Sequence, residues 1–237
     1  MSKKLYYLYI WLIFASLVLL AAGEINPTLF ITTKSFSVDS TYGMRTTIPI
    51  TIREQGCIWA QATWPTSSSA KTLALILNGP GSTSAYRRQD GKSGVVLAYS
   101  ITESDARKGT SWSISIANFG GGTAKGQILI EYPPTQVPCE LKAVKGSTTG
   151  RVDLSWKYTG KTIPVSFLVE RSNDDKFKSP KVICTSKPSA SKTSYICSDS
   201  GVKSRTVYYY RVCSVSSSKA SACSTTNVLP FVSIQVP

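Results

Sequence analysis

Apolar and polar residues alternate along most of this chain, in runs separated by stretches rich in Gly, Pro, Ser and Asn. In RVDLSW (151–156), Val152, Leu154 and Trp156 share one face. In SFLVERS (166–172), Phe167 and Val169 do the same. In YYYRVCSV (208–215), Tyr208, Tyr210 and Val212 fall on one side, and Tyr209, Arg211 and Cys213 on the other. A period of two marks a half-buried strand. KVIC (181–184), SYICSD (194–199) and ACSTTNV (222–228) complete the series in the second half. The first half offers TTIPITIRE (46–54), CIWAQATW (57–64), TLALILNG (72–79), GVVLAYSIT (94–102), SWSISIANF (111–119) and QILIEYP (127–133). NGPGS, QDGKSG and FGGGTAKG read as turns between them. The spacing predicts an all-β chain built from packed sandwiches.

One stretch breaks the pattern. EYPPTQVPCEL (131–141) carries Pro133, Pro134 and Pro138, which interrupt strand pairing and stiffen a linker. It divides the chain into two tandem β-sandwich domains, residues 24–135 and 136–237. Ahead of them, Lys3 and Lys4 precede an apolar run from Leu5 to about Leu20, followed by Ala21, Ala22 and Gly23. That order predicts a secretory signal over residues 1–23. The run is nearly long enough to cross a bilayer, so a retained anchor is the alternative. A membrane partner is expected only in that case.

Export gives the six cysteines a meaning. An even count behind a signal favours disulfides, and no CxxC pair points to zinc or redox chemistry. Six cysteines allow 15 pairings. Cys213 and Cys223 flank the small, polar SVSSSKASA stretch, so a final hairpin brings them side by side. The same logic joins Cys184 with Cys197 across TSKPSASKTSYI. Cys57 and Cys139 remain, and their bond would tie the first domain to the start of the second.

Charge adds a direction. The chain carries 27 Lys and Arg against 13 Asp and Glu, and the excess is uneven. Residues 24–135 hold 10 basic and 7 acidic side chains, and residues 136–237 hold 15 and 6. The lysines are scattered, which suits a solvated surface, yet the sum attracts an anionic partner. No recognition motif accompanies it, so nucleic acid is not expected.

The second half resembles the fibronectin type III family over about residues 136–230. The likeness rests on the tryptophan of VDLSW, on FLVERS, and on TVYYYRVCSVSSS, where Tyr208 matches the family's tyrosine corner. It implies an immunoglobulin-like, seven-stranded sandwich used as a spacer, an adhesion module or an enzyme accessory. Residues 50–133 are similar to the small jelly-roll sandwiches of the bacterial pre-peptidase C-terminal type, through ATW, LALILNGPG, YRRQDGKSG, SWSISIANF and GQILIEYP. That likeness implies a non-catalytic companion of secreted enzymes.

The chemistry that remains is limited. The chain has no histidine, which removes the usual triads and most zinc sites. GKS (91–93) lacks the glycine a phosphate loop needs five residues earlier, where Tyr86 stands. Asp174 with Asp175, and Glu103 with Asp105, read as turn and strand-end residues. No catalytic residue, metal ligand or cofactor is expected. Trp59 and Trp64 lie five apart, so a strand sets them on opposite faces. One is expected in the core and the other at the surface, where an indole stacks on a sugar or anchors a partner. Tyr86, Arg87 and Arg88, in a loop after Gly81, form a second candidate contact patch. The expected function is binding or adhesion outside the cell, to an extracellular protein or polysaccharide, anionic ones included. The alternatives are a carbohydrate-binding accessory of a secreted hydrolase and a structural spacer.

Overall fold

The computed structural model describes residues 30–39, 45–65, 72–82, 84–92, 94–133, 137–217, 221–222 and 232–235. Residues 1–23, where a signal is expected, lie outside them, as do Pro134, Cys223 and most of the expected ACSTTNV strand. Within them the chain is all-β, as the alternation predicts, with four antiparallel sheets and one short helix.

The first sandwich has eight strands: β1 (Phe30–Val38), β2 (Arg45–Thr51), β3 (Gly56–Thr63), β4 (Leu73–Asn78), β5 (Arg87–Gly91), β6 (Gly94–Ile101), β7 (Ser111–Asn118) and β8 (Ala124–Tyr132). One sheet runs β1-β8-β3-β6 and the other β2-β7-β4-β5. Apart from the β4–β5 hairpin, the pairings join strands distant in sequence, the double-sheet jelly-roll order. Inward residues fill the space between the sheets. Ile58, Ala60, Ala62, Leu73, Leu75, Leu77, Ile114, Ile116, Ile128 and Ile130 are all buried there. Two strands were not foreseen. β1 buries Phe36 and Val38 near its end, and β5 is an edge strand of RRQDG with no apolar residue to betray it. The FGGGTAKG turn behaves as its glycines require: Gly121 and Gly122 adopt φ of 80° and 65°. The Asn118 amide braces it by donating to the Gly122 carbonyl at 2.7 Å.

The helix α1 (Glu103–Arg107) follows β6. Thr102 caps it. The Asp105 amide donates to the Thr102 hydroxyl, and the Thr102 amide donates to the Asp105 carboxylate, both at 3.1 Å. Glu103 and Asp105, read as strand-end residues, are this helix's first turn.

The second sandwich holds β9 (Cys139–Lys145), β10 (Val152–Lys157), β11 (Ser166–Ser172), β12 (Lys181–Ser186), β13 (Ser194–Asp199), β14 (Val207–Val215), β15 (Ser221–Ala222) and β16 (Val232–Gln235). Its sheets run β13-β10-β9 and β12-β11-β14, with β15 and β16 both beside β14. This is an immunoglobulin-like sandwich. Val152, Leu154, Trp156, Phe167, Val169, Tyr208 and Tyr210 are buried on its inner faces, as their spacing predicts. Trp156 stacks on Tyr195 at 5.8 Å and meets the Phe167 edge at 5.9 Å. The Tyr208 hydroxyl accepts from the Lys203 amide at 3.1 Å, five residues upstream. Beside it, Arg171 stacks on the Tyr208 ring at 4.7 Å, and Asp199 accepts from Arg171 at 2.8 Å and from the buried Tyr210 hydroxyl at 3.0 Å. Burial and the Asp199 charge raise the Tyr210 pKa.

Two predicted disulfides are present. Cys57–Cys139 closes a separation of 82 residues, and Cys184–Cys197 one of 13. The second is not the hairpin staple expected from its spacing. β12 and β13 belong to opposite sheets, so the bond crosses the side of the sandwich. Cys213 is disulfide-bonded, and Cys223, its predicted partner, lies outside the described residues.

The two sandwiches meet at Cys139. Glu140, next in the chain, takes φ of 52°, a strained value for a residue other than glycine. The contacts of its carboxylate offset that strain. It accepts from the Ser100 amide on edge strand β6 at 3.0 Å and pairs with the Lys157 ammonium at 3.0 Å. Burial would raise the Glu140 pKa, but the Lys157 and Ser100 hydrogen bonds outweigh it and hold it below 4.5. Thr159 adds a third tie, donating to the Gly56 carbonyl at 3.3 Å.

Two predictions follow from the seam. Chain-entropy arithmetic assigns about 4.5 kcal/mol to the Cys57–Cys139 loop and about 3 kcal/mol to the Cys184–Cys197 loop. Replacing the first pair by alanine is therefore expected to lower stability in urea more than replacing the second. Equal losses would show that loop length is not what matters here. A depressed glutamate stabilises the fold above its ordinary pKa and loses that contribution as pH falls through the folded value. The seam is thus expected to loosen below about pH 4.5. Glu140→Gln should remove this acid sensitivity, measured as amide exchange at Ser100.

Candidate functional site

Trp59 and Trp64 lie on opposite faces of β3, as period two requires, but neither is exposed: they are 3% and 6% accessible. Trp59 points away from the jelly-roll core. There it is covered by Val137, Ala98, Leu129 and the Cys57–Cys139 bridge. Its indole N–H has no hydrogen-bond partner. Trp64 points into the core at the end of β3, against the first domain's buried cluster. The expectation of one surface tryptophan on this strand therefore fails, because the second domain's first residues cover the outer face.

Tyr86, Arg87 and Arg88 do not form one patch. Arg87 and Arg88 belong to β5, opposite Leu77 and Ile76, and not to a loop. Both are exposed. The Arg88 guanidinium lies 4.4 Å from the centre of the Phe119 ring, and its Nε meets Asp90 at 3.0 Å. Tyr86 turns the other way, onto the core. Its ring tilts against Trp112 at 4.7 Å and meets Tyr99 edge-on at 5.9 Å. A Cβ at Gly79 would stand 2.5 Å from the Tyr86 ring and 2.8 Å from Trp112, so only glycine lets both rings close onto this strand end.

A shallow depression of about 330 Å³ opens over Tyr86, lined also by Pro80, Gly81, Ser82 and Lys108. The Lys108 ammonium sits 5.1 Å above the Tyr86 ring and 3.1 Å from Asp105. Hydrogen bonds to Tyr86 and Asp105 raise the Lys108 pKa, so the cation persists above neutral pH. Burial would raise the Asp105 pKa, but the Thr102 hydroxyl and amide and Lys108 bring it below its ordinary value. The cation thus covers the one face of Tyr86 that a ligand would need.

The larger feature is a groove of about 580 Å³ at the other tryptophan. Phe36 and Trp64 form its floor. Ser35, Thr63, Lys125 and Gln127 stand exposed on its rim. Gly126 keeps it open where β8 passes β3: a Cβ there would lie 2.1 Å from the Thr63 carbonyl. The sequence pointed to Trp64 but not to its neighbours. Lys125 read as part of the FGGGTAKG turn and Gln127 as an ordinary strand residue, until pairing sets Gln127 opposite both Thr63 and Ser35. Among the described residues no group of three or more His, Cys, Asp and Glu is placed to hold a metal, and no helix is long and apolar enough to cross a membrane.

No protein-family model matches the chain, and no curated protein matches it. Among solved structures, it is similar to a β-1,2-glucanase from Parabacteroides distasonis, with 12% identity over 87% of this chain and 37% of that one, at a TM-score of 0.27. It is likewise similar to the glycoside hydrolase domain of Endo-D from Streptococcus pneumoniae, with 10% identity over 89% and 38% and a TM-score of 0.28. A β-glucuronidase from Lactobacillus rhamnosus gives 8% identity over 88% and 35% and a TM-score of 0.30. The chain spans little more than a third of each, and likenesses this weak carry no functional argument.

The buried indole of Trp59 yields a test of its role. Trp59→Phe keeps most of the packing and removes an unpaired N–H, so its cost is expected to stay below about 1.5 kcal/mol. Retention on any ligand should be unchanged. A loss of retention with an unchanged melting temperature would return Trp59 to the binding surface.

Proposed function

We propose that this chain is an exported, non-catalytic binding protein that holds a hydroxyl-rich polymer, such as a polysaccharide, in the groove over Trp64. The observation that carries this reading is the composition of the groove: an aromatic floor, two hydroxyls, an amide and one cation within a single open channel. Aromatic rings favour the C–H faces of sugars, while the amide, hydroxyls and ammonium exchange hydrogen bonds with the ring hydroxyls. Lys125 and the net charge of +14 favour a polymer that carries anionic groups.

The remaining parts fit such a protein. The disulfides suit an oxidising compartment, consistent with a signal over residues 1–23. In this reading the second domain is a fibronectin type III-like module that presents the first domain at a surface. Its strand order and the Tyr208 contact support that relation. A second reading, adhesion to a protein, is favoured by one observation. Phe119 is 55% exposed and stacked under Arg88, a pairing of residue types that protein interfaces favour.

The test uses residues 24–237 made in an oxidising compartment, with retention on insoluble polysaccharides and cell envelopes measured at low and high salt. Gln127→Ala and Lys125→Gln are expected to reduce retention about tenfold with unchanged melting, and Lys125→Gln also to flatten the salt dependence. Retention lost with Arg88→Ala and kept with both groove variants would favour the protein-contact reading. Retention unchanged in all three overturns the groove.

A further inference from the structure

A third cavity lies between the domains. It measures about 270 Å³, and residues of both domains line it. Its first-domain wall is the segment before β3 and the start of α1, with Gln55 and Glu103. Its second-domain wall comes from two loops, 158–163 and 188–193. Both loops are pinned from below. The Tyr158 hydroxyl donates to the Thr162 carbonyl at 2.6 Å. The Tyr195 hydroxyl donates to the Lys192 carbonyl at 2.7 Å and accepts from the Ser189 amide at 3.2 Å. Burial and the neighbouring Tyr195 push the Tyr158 pKa up to about 12, so that phenol stays a donor throughout the physiological range. The walls are also fixed to each other. The Cys57–Cys139 bond, the Glu140–Ser100 contact and the Thr159–Gly56 contact cross the seam beside the cavity.

What faces this space has a defined character. Glu103, whose carboxylate also pairs with Arg107 on α1, lines the cavity from one domain, and Lys192, an ammonium, lines it from the other. Lys192 is held 5.2 Å from the centre of the Tyr195 ring. Gln55 and Ser189 add an amide and a hydroxyl. Ile163, an apolar residue left 50% exposed, lines the same cavity and adds an aliphatic surface. Donors and acceptors around an aliphatic surface match a molecule with a ring of hydroxyls and one C–H face. The volume falls just under the roughly 300–1,000 Å³ of pockets that hold drug-sized ligands. It suits one ring.

We infer that the domain seam is a second binding site, which takes a single neutral sugar ring between Glu103 and Lys192. The site exists only while the domains are tied together, because each wall belongs to a different domain. It does not depend on the groove over Trp64, and a polymer bound there need not reach it.

The experiment titrates the full disulfide-bonded chain with glucose, galactose, mannose and N-acetylglucosamine, each to about 50 mM, followed by calorimetry and thermal shift. Saturable binding of at least one sugar is expected, at millimolar to sub-millimolar strength. Glu103→Gln, Lys192→Met and Ile163→Ser should each weaken it about fivefold or more while the unliganded melting temperature holds. All three side chains are exposed, which keeps misfolding from mimicking the result. Absence of saturable binding for every sugar overturns the proposal. So does an affinity that falls with Lys125→Gln and is untouched by the three seam variants.

Discussion

The Cys57–Cys139 bond and the Glu140 carboxylate beside it make one junction, and most of the molecule's distinctive geometry depends on it. β6 ends a sheet of the jelly roll, and an apolar edge strand of the type GVVLAYSI is a hazard when its amides face water. Glu140 occupies one of those amides. The same junction buries Trp59, which would otherwise lie on the open face of the sheet. It also places the start of the second domain's first strand at the bridge, because β9 begins at Cys139 itself. Two domains joined by a flexible linker would move independently. Here a covalent bond and two hydrogen bonds cross between the domains, so the seam is a surface of fixed shape.

Most of the fold was legible because its strands bury one face and alternate cleanly. SFLVERS and SYICSD were read from first residue to last. The missed strands have separate causes. β1 carries a polar centre, β5 is an all-polar edge strand, β9 starts directly from the proline-rich stretch, which masked it, and β16 is only four residues long. Period two also told that Trp59 and Trp64 point to opposite sides, but not which of them faces the core or what covers the other. Coverage is a tertiary property: nothing near residue 59 announces that residues 137 and 139 will lie over it. For the same reason Cys184 and Cys197 were paired across the wrong geometry. A polar 12-residue stretch between two strands looks alike whether the chain makes a hairpin or passes from one sheet to the other. The seam cavity was invisible in the sequence, since its walls come from residues about 90 positions apart.

The second domain's charge acquires a structural explanation. Of its few acidic residues, Asp153 pairs with Arg151, Glu170 with Arg211, Asp199 with Arg171 and Glu140 with Lys157. Asp174 is occupied too. The Ser172 hydroxyl and the amides of Lys176 and Lys178 all donate to it. The acids thus serve local architecture, and the basic excess of residues 136–237 is left as a net field. Such a field adds to encounter rate and to salt-sensitive attraction, but it supplies little shape.

Shape must then come from the first domain, and its tryptophans constrain how. Trp59, Trp64 and Trp112 are all buried, so this jelly roll has no broad tryptophan platform to lay against a sugar chain. Trp64 and Phe36, both nearly buried, contribute only a small part of their surface to a groove floor. Recognition of that kind leans on hydrogen bonds from the rim, each worth about 1 kcal/mol net in competition with water. A single groove of four polar residues therefore binds weakly. Useful attachment needs either many copies of the protein on one surface or additional contacts within one chain, and both multiply effective concentration without strengthening any one contact. In the proposed reading, a positive second domain tied to the first would meet that need. It would add attraction along an anionic surface, and the ties across the seam would keep that attraction from being lost to independent motion of the domains.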